Sequence, residues 1–221
     1  TNSDWAVGEE YSHFFNELFT PAPDLKNVLD NLSRRIKGDY VSVTFRFQQL
    51  LGDFFDEQSD NDKTTALVKL ISQNYENIDI SKSLNAKKQL RAMLGDYRNK
   101  KISTSLKIAD RDKLIESCIN KLNKHRDEFH PSLQVLVTSD SEEFLKKINH
   151  LDFVQMYTKD DKVFKKFNDR VKEYFLKVFA DTLMIANAQT LYLFVSGPMY
   201  RSGFAKNASY IHQKQYFEVI F

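Results

Sequence analysis

The sequence predicts one main α/β domain, a parallel sheet of about five strands with helices on both faces and a helical insertion. Three observations lead there. Runs rich in β-branched and aromatic residues, at Tyr40 to Phe47, Leu133 to Val137 and Thr190 to Val195, have the length of buried strands. Amphipathic helical patterns alternate with them, which implies right-handed crossovers of the Rossmann-like kind. Finally, 221 residues that are 42% hydrophobic, with only 6 Gly and 4 Pro, supply a full core and too few breakers for a disordered or linker-like chain.

The elements follow in order. Tyr11, Phe14, Phe15, Leu18 and Phe19 recur at helical spacing over 10–19, and Pro21 and Pro23 end that helix. A second helix is expected from Asp24 as N-cap, through Leu25, Val28, Leu29, Leu32 and Ile36, to Gly38. The first buried strand comes next, with its exit over 46–54. Leu67, Val68, Leu70 and Ile71, then Leu84, Leu90, Met93 and Leu94, suggest two short helices in a polar stretch that reads as an insertion. A firmer helix carries Leu114, Ile115, Cys118, Ile119 and Leu122 on one face behind the capping candidates Asp110 and Asp112, so Cys118 is expected in the core.

The second strand leads to Thr138, Ser139, Asp140 and Ser141. Ser141 is placed to cap a helix through Phe144, Leu145 and Ile148, with Glu142 and Glu143 where the helix dipole favours acids. A short third strand is expected over 152–157. A long helix from Phe164 through Phe167, Val171, Phe175, Val178 and Leu183 to Ile185 leads to the fourth strand, and a loop from Gly197 to Gly203, a helix over 204–212 and a strand over 216–221 complete the pattern. The predicted organisation is one domain: N-terminal helices over 1–38, a core of 39–60 and 107–221, and the insertion over 61–106.

Charge narrows the partners. Lys plus Arg at 32 against Asp plus Glu at 30 gives +2, so the whole chain offers no argument for nucleic acid or membrane binding. Residues 81–126 hold 13 basic against 4 acidic residues, which reads either as a solvated helical face or as a rim for an anionic ligand. Cys118, the single cysteine, allows no internal disulfide, and the expected compartment is reducing, hence cytoplasmic. Lys177 and Asp181 interrupt the most apolar region, 175–199, so no transmembrane segment is expected.

In such sheets ligands bind outside the carboxyl ends of the strands, so four exits carry the chemistry: 46–53, 138–141, 158–161 and 196–204. Arg46 offers a fixed cation, Asp140 a carboxylate flanked by Ser139 and Ser141, and the Gly-Pro loop delivers backbone N–H groups and Ser202 to a helix start. A helix N-terminus beside an arginine suits a diphosphate, and a carboxylate can accept from a guanine edge or a ribose hydroxyl. Each has a plainer alternative: Arg46 paired with Asp53 or Asp56, and Asp140, Ser141 and Ser202 acting only as caps. The Asp160-Asp161 pair reads as a helix start rather than a catalytic dyad. A Walker A loop, a dinucleotide fingerprint, a nucleophile elbow and metal-ligand spacing among the histidines are all missing from the sequence.

At these exits the sequence resembles the GDP-fucose-dependent fucosyltransferases of the GT-B fold, in the half that binds the nucleotide sugar. VSVTFRF looks like the strand carrying the family's His-x-Arg motif, with Arg46 on the diphosphate-binding arginine and Thr44 where histidine is usual. VLVTSDS is similar to the strand and turn whose acid contacts guanine, and SGPMYRSGFAKNAS looks like the Ser-x-Phe loop and helix, with Ser202, Gly203 and Phe204 in register. The resemblance implies a glycosyltransferase donor domain that takes a GDP-sugar, GDP-fucose first among them, and transfers the sugar to a glycan hydroxyl. It implies no cofactor and no metal. Arg46 would then be catalytic, with Asp53 as general base and Thr44, Arg46, Ser139, Asp140, Ser141, Ser202, Gly203 and Phe204 binding substrate. An acceptor-binding half is expected upstream of Thr1. The alternative is a non-catalytic nucleotide-sugar-binding or protein-interaction module on the same scaffold.

Overall fold

A computed structural model describes residues 2–36, 38–48, 50–51, 106–158, 161–164 and 170–221. Its elements are α1 (Asn2–Leu18), α2 (Pro23–Ser33), β1 (Tyr40–Phe45), α3 (Ile108–Phe129), β2 (Gln134–Ser139), α4 (Glu142–Ile148), β3 (Val154–Gln155), α5 (Arg170–Ala186), β4 (Thr190–Val195), α6 (Phe204–Ile211) and β5 (Gln215–Ile220). The five strands form one parallel sheet in the order β3-β2-β1-β4-β5. This is the expected Rossmann-like α/β fold.

Two cores sit on opposite faces of the sheet. On one, Leu114, Cys118 and Leu122 of α3 and Phe144, Leu145 and Ile148 of α4 pack on Val41, Val43, Phe45, Val135, Val137 and Phe194. On the other, Leu25, Val28 and Leu32 of α2, Ala180 and Met184 of α5, and Ala205 and Ala208 of α6 cover Tyr40, Leu136 and Leu191. Successive strand residues face opposite ways, so a strand covered on both sides is buried along its whole length and mostly apolar. The central strand β1 is buried at every position, whereas edge strand β5 is half-buried or exposed along its length.

Several boundaries differ from expectation for local reasons. Helix α2 starts at Pro23 with Ala22 as N-cap and no side-chain cap, leaving Asp24 in the first turn, because a first-turn proline needs no N–H partner. It ends at Ser33, and Gly38 at φ +82 turns the chain into β1. Helix α3 begins at Ile108, so Asp110 complements the dipole from within the first turn instead of capping. Strand β3 shrinks to Val154–Gln155 at the sheet edge, and Phe164 is buried in a turn ahead of α5. Asp161 likewise starts no helix: its carboxylate accepts from the Thr158 N–H at 3.0 Å and pairs with Arg35 at 2.7 Å. Cys118 is buried, and Ser141 caps α4 by accepting from the Phe144 N–H.

The expected insertion falls almost wholly on 52–105, outside the described residues. The described residues that flank this stretch meet: Leu106 N–H donates to the Leu50 carbonyl at 2.9 Å, and Arg111 donates to the carbonyls of Leu51 and Leu106.

Candidate functional site

Chain order in the sheet reverses between β1 and β4. Crossovers β1 to β3 run on one face and those to β4 and β5 on the other, which makes the carboxyl edge between β1 and β4 the topological switch point, the place where ligands of such sheets bind. Arg46 lies at this switch point, one residue past β1.

Asp140, just past β2, braces the β1 exit. Its Oδ1 accepts from the Phe47 N–H at 2.8 Å and its Oδ2 from the Gln48 N–H at 2.9 Å. The two strands are parallel neighbours with Phe45 opposite Ser139, which brings the carboxylate over the ends of β1's hydrogen-bonding groups. Gln48 adopts φ 52, a left-handed conformation unfavourable for a residue with a Cβ, and its amide is held there by Asp140. Arg46 Nε lies 3.6 Å from Asp140 Oδ2, with the Arg46 side chain 34% exposed and that of Asp140 only 6%. That separation is an ion pair but too long for a hydrogen bond, and Nε is buried without an acceptor. Burial pushes the Asp140 carboxyl above its ordinary range, against the pull of Arg46 and of the Phe47 and Gln48 amides.

The hydroxyls around it are engaged locally. Thr44 is 1% exposed, and its Oγ1 lies 2.9 Å from that of its cross-strand neighbour Thr138. Ser139 Oγ accepts from the Ser141 N–H, and Ser141 Oγ from the Phe144 N–H, both at 3.1 Å. Asp53 lies outside the described residues.

The loop after β4 is tied to the same place. Tyr200 N–H donates to the Arg46 carbonyl at 3.0 Å, and Met199 N–H to the Ser196 carbonyl at 3.1 Å. Gly197 supplies the φ of +51 that this turn requires. Arg201 Nε reaches Glu218 of β5 at 3.1 Å. Ser202 Oγ accepts from the Phe204 N–H at 3.1 Å, but the N-cap of α6 is Gly203, which offers no side-chain cap. The α6 N-terminus thus keeps unpaired donor capacity a few residues beyond the Tyr200–Arg46 bond.

Under the sheet edge, Lys177 and Asp181 of α5 form a half-buried i,i+4 ion pair. Burial raises the Asp181 carboxyl, while Lys177 and then Arg46 act to lower it, which places Arg46 in the field of two carboxylates. Its Nε is committed toward Asp140, and the guanidinium makes no hydrogen bond among the described residues. The arrangement therefore fixes one cation by charge and leaves planar N–H donors for an anion with paired oxygens.

Two hollows of about 410 Å³ lie away from the switch point: one lined by Arg35, Lys146, Asn149, Gln155, Thr158 and Asp161, the other by Asp24, Asn27, Asp30, Asn31 and Arg34. Both are polar, and neither includes Arg46 or the loop after β4. Among the described residues no group of three or more His, Cys, Asp or Glu could hold a metal ion, and no helix is long and apolar enough to cross a membrane. No family model, curated protein or solved structure matches the chain.

Of the residues singled out from the sequence, the fold brings Arg46, Asp140 and the loop leading to Ser202 to one edge of the sheet. The bracing of β1 by Asp140 had no local signal, because its partners lie 92 and 93 residues away. Tyr200 had one: an aromatic inside a Gly-Pro loop that belongs to no hydrophobic pattern.

Proposed function

We propose that this chain is a glycosyltransferase donor domain that binds a GDP-sugar, GDP-fucose first, and transfers the sugar to a glycan hydroxyl. The observation that carries the reading is Arg46 at the β1/β4 switch point, oriented by Asp140 and with no hydrogen bond to its guanidinium among the described residues. The α6 N-terminus and its Ser202 turn, reached through the Tyr200–Arg46 backbone bond, support the same ligand. In the reaction the bond between the sugar's anomeric carbon and the diphosphate oxygen breaks, the acceptor oxygen bonds to that carbon, and the acceptor proton passes to a base, for which Asp53 is the candidate. Negative charge collects on the departing GDP, where Arg46 and the helix donors stabilise it, the type of contribution that is commonly largest in transfer reactions.

A second reading, binding without transfer, is favoured by Thr44. At the position where the resembling family usually has histidine, a hydroxyl is sealed against Thr138 and has no access to a ligand.

The test is thermal stability with GDP, ADP and UDP, since a ligand that binds only the folded state raises stability by mass action. Stabilisation by GDP that is lost in Arg46→Ala is expected, and sugar release from GDP-fucose separates transfer from binding alone. An equal response to all three nucleotides, or none, overturns the GDP-sugar assignment.

A further inference from the structure

We infer that Tyr200 is the stacking platform for the nucleobase, a specificity element that rests on the diphosphate site proposed for Arg46. Tyr200 is 46% exposed, and among the described residues its ring makes no aromatic contact and its hydroxyl no hydrogen bond. Exposed aromatics occur elsewhere, as at Phe14 and Phe129, but Tyr200 is the one whose backbone is bonded to the switch-point exit of β1. Its backbone cannot wander. The Tyr200 amide bonds to the Arg46 carbonyl, the preceding Met199 is buried and bonded to Ser196, and the following Arg201 is anchored to Glu218. Met199 is fixed from a second side, because its sulfur accepts from the Cys118 thiol of α3 at 3.8 Å.

A large ring that keeps nearly half its surface in water at a pinned position lowers the ordering cost when a flat partner arrives. A purine offers that partner: it presents a π-face to the ring while its diphosphate lies on Arg46. Stacking of a base on an aromatic side chain is sequence-tolerant, so Tyr200 contributes affinity for nucleotides over bare pyrophosphate, and purines, having the larger face, gain more than pyrimidines.

The test is calorimetric binding of GDP, UDP and inorganic pyrophosphate to the whole 221-residue chain and its Tyr200 variants. Tyr200→Ala should weaken GDP by roughly tenfold while leaving pyrophosphate within twofold, with Tyr200→Phe close to the parent, since the ring and not the hydroxyl acts. Far-ultraviolet circular dichroism on the same samples shows that the fold is kept. Equal losses for GDP and pyrophosphate, or an unchanged GDP affinity in Tyr200→Ala, overturn the platform while leaving the Arg46 site standing. Failure of the parent chain to bind either ligand overturns both.

Discussion

Asp140 reaches across from the end of β2 to hold Phe47, with a carboxylate oxygen 2.8 Å from the Phe47 amide and the second oxygen on the next amide along. One side chain thereby fixes the backbone of the arginine-bearing strand exit and orients the guanidinium beside it. Replacing Asp140 by Asn presents an amide donor to one of the two N–H donors and leaves that group buried and unpaired, which costs about 2 kcal/mol. Asp140→Asn is therefore expected to lower Tm by roughly 5 °C and to loosen nucleotide binding, read by scanning calorimetry and titration of the same sample. Unchanged melting would show that the two backbone bonds are dispensable.

Arg46 offers a planar fork rather than a point charge. Arg46→Lys retains the cation but loses paired donation, so GDP affinity should fall by about tenfold, or 1.4 kcal/mol, with little change in Tm. Retention of full affinity by the lysine variant would mean that charge alone is recognised.

Gln48 sits at φ 52. Gln48→Gly removes the Cβ penalty and should be neutral to about 1 kcal/mol stabilising, whereas Gln48→Val should cost more than about 1 kcal/mol. Denaturant unfolding of the pair measures the difference, and equal midpoints would contradict a strained residue held by Asp140.

His125 is buried between α3 and β4, edge-on to Tyr192 and Phe194 with its Nε2 unpartnered. Burial first, then His130 and Lys121, lower its pKa to about 4. Because the folded value lies below the unfolded one, this contribution is complete above about pH 6.5 and is lost as pH falls toward 4, to the extent of about 3 kcal/mol. His125→Phe keeps the aromatic packing and should flatten the acid limb of the stability profile without loss at pH 7. A profile with the same slope would place the acid sensitivity elsewhere.

Cys118 has its thiol pushed up to about 12 by burial. Native protein at pH 8 should resist a thiol reagent, and labelling should proceed only as fast as the molecule opens. Rapid stoichiometric labelling of folded protein would contradict the packing of α3 on the sheet.

Strands β1, β2 and β4 are legible in the sequence because burial on both faces concentrates β-branched and aromatic residues in them, with Ser42, Thr44 and Thr138 as the buried polar exceptions, and β4 occupies the expected Thr190–Val195. The two-residue β3 is less so, since an edge strand with one neighbour needs few β-forming residues. Capping succeeds at Ser141, whose oxygen meets an amide of its own helix, and fails at Asp24 and Asp110, where proline geometry and the dipole account for the acid. For the site, the sheet rule locates Arg46 and the Gly-Pro loop at one edge. The sequence could not reveal that Arg46 pairs with Asp140, because that depends on strand adjacency and not on proximity along the chain, and the alternatives Asp53 and Asp56 lie outside the described residues.

Strand β1 bonds to residues nearly a hundred positions onward, as in Thr44 with Thr138, and needs β4 on its other flank. Contacts of such high contact order form only after long stretches have been brought together, and chains built this way are slow folders. A half-folded molecule, even one with its helices in place, has no switch point and hence no site for the nucleotide proposed above. A nucleotide bound as proposed would consolidate the finished protein but would not template its early assembly.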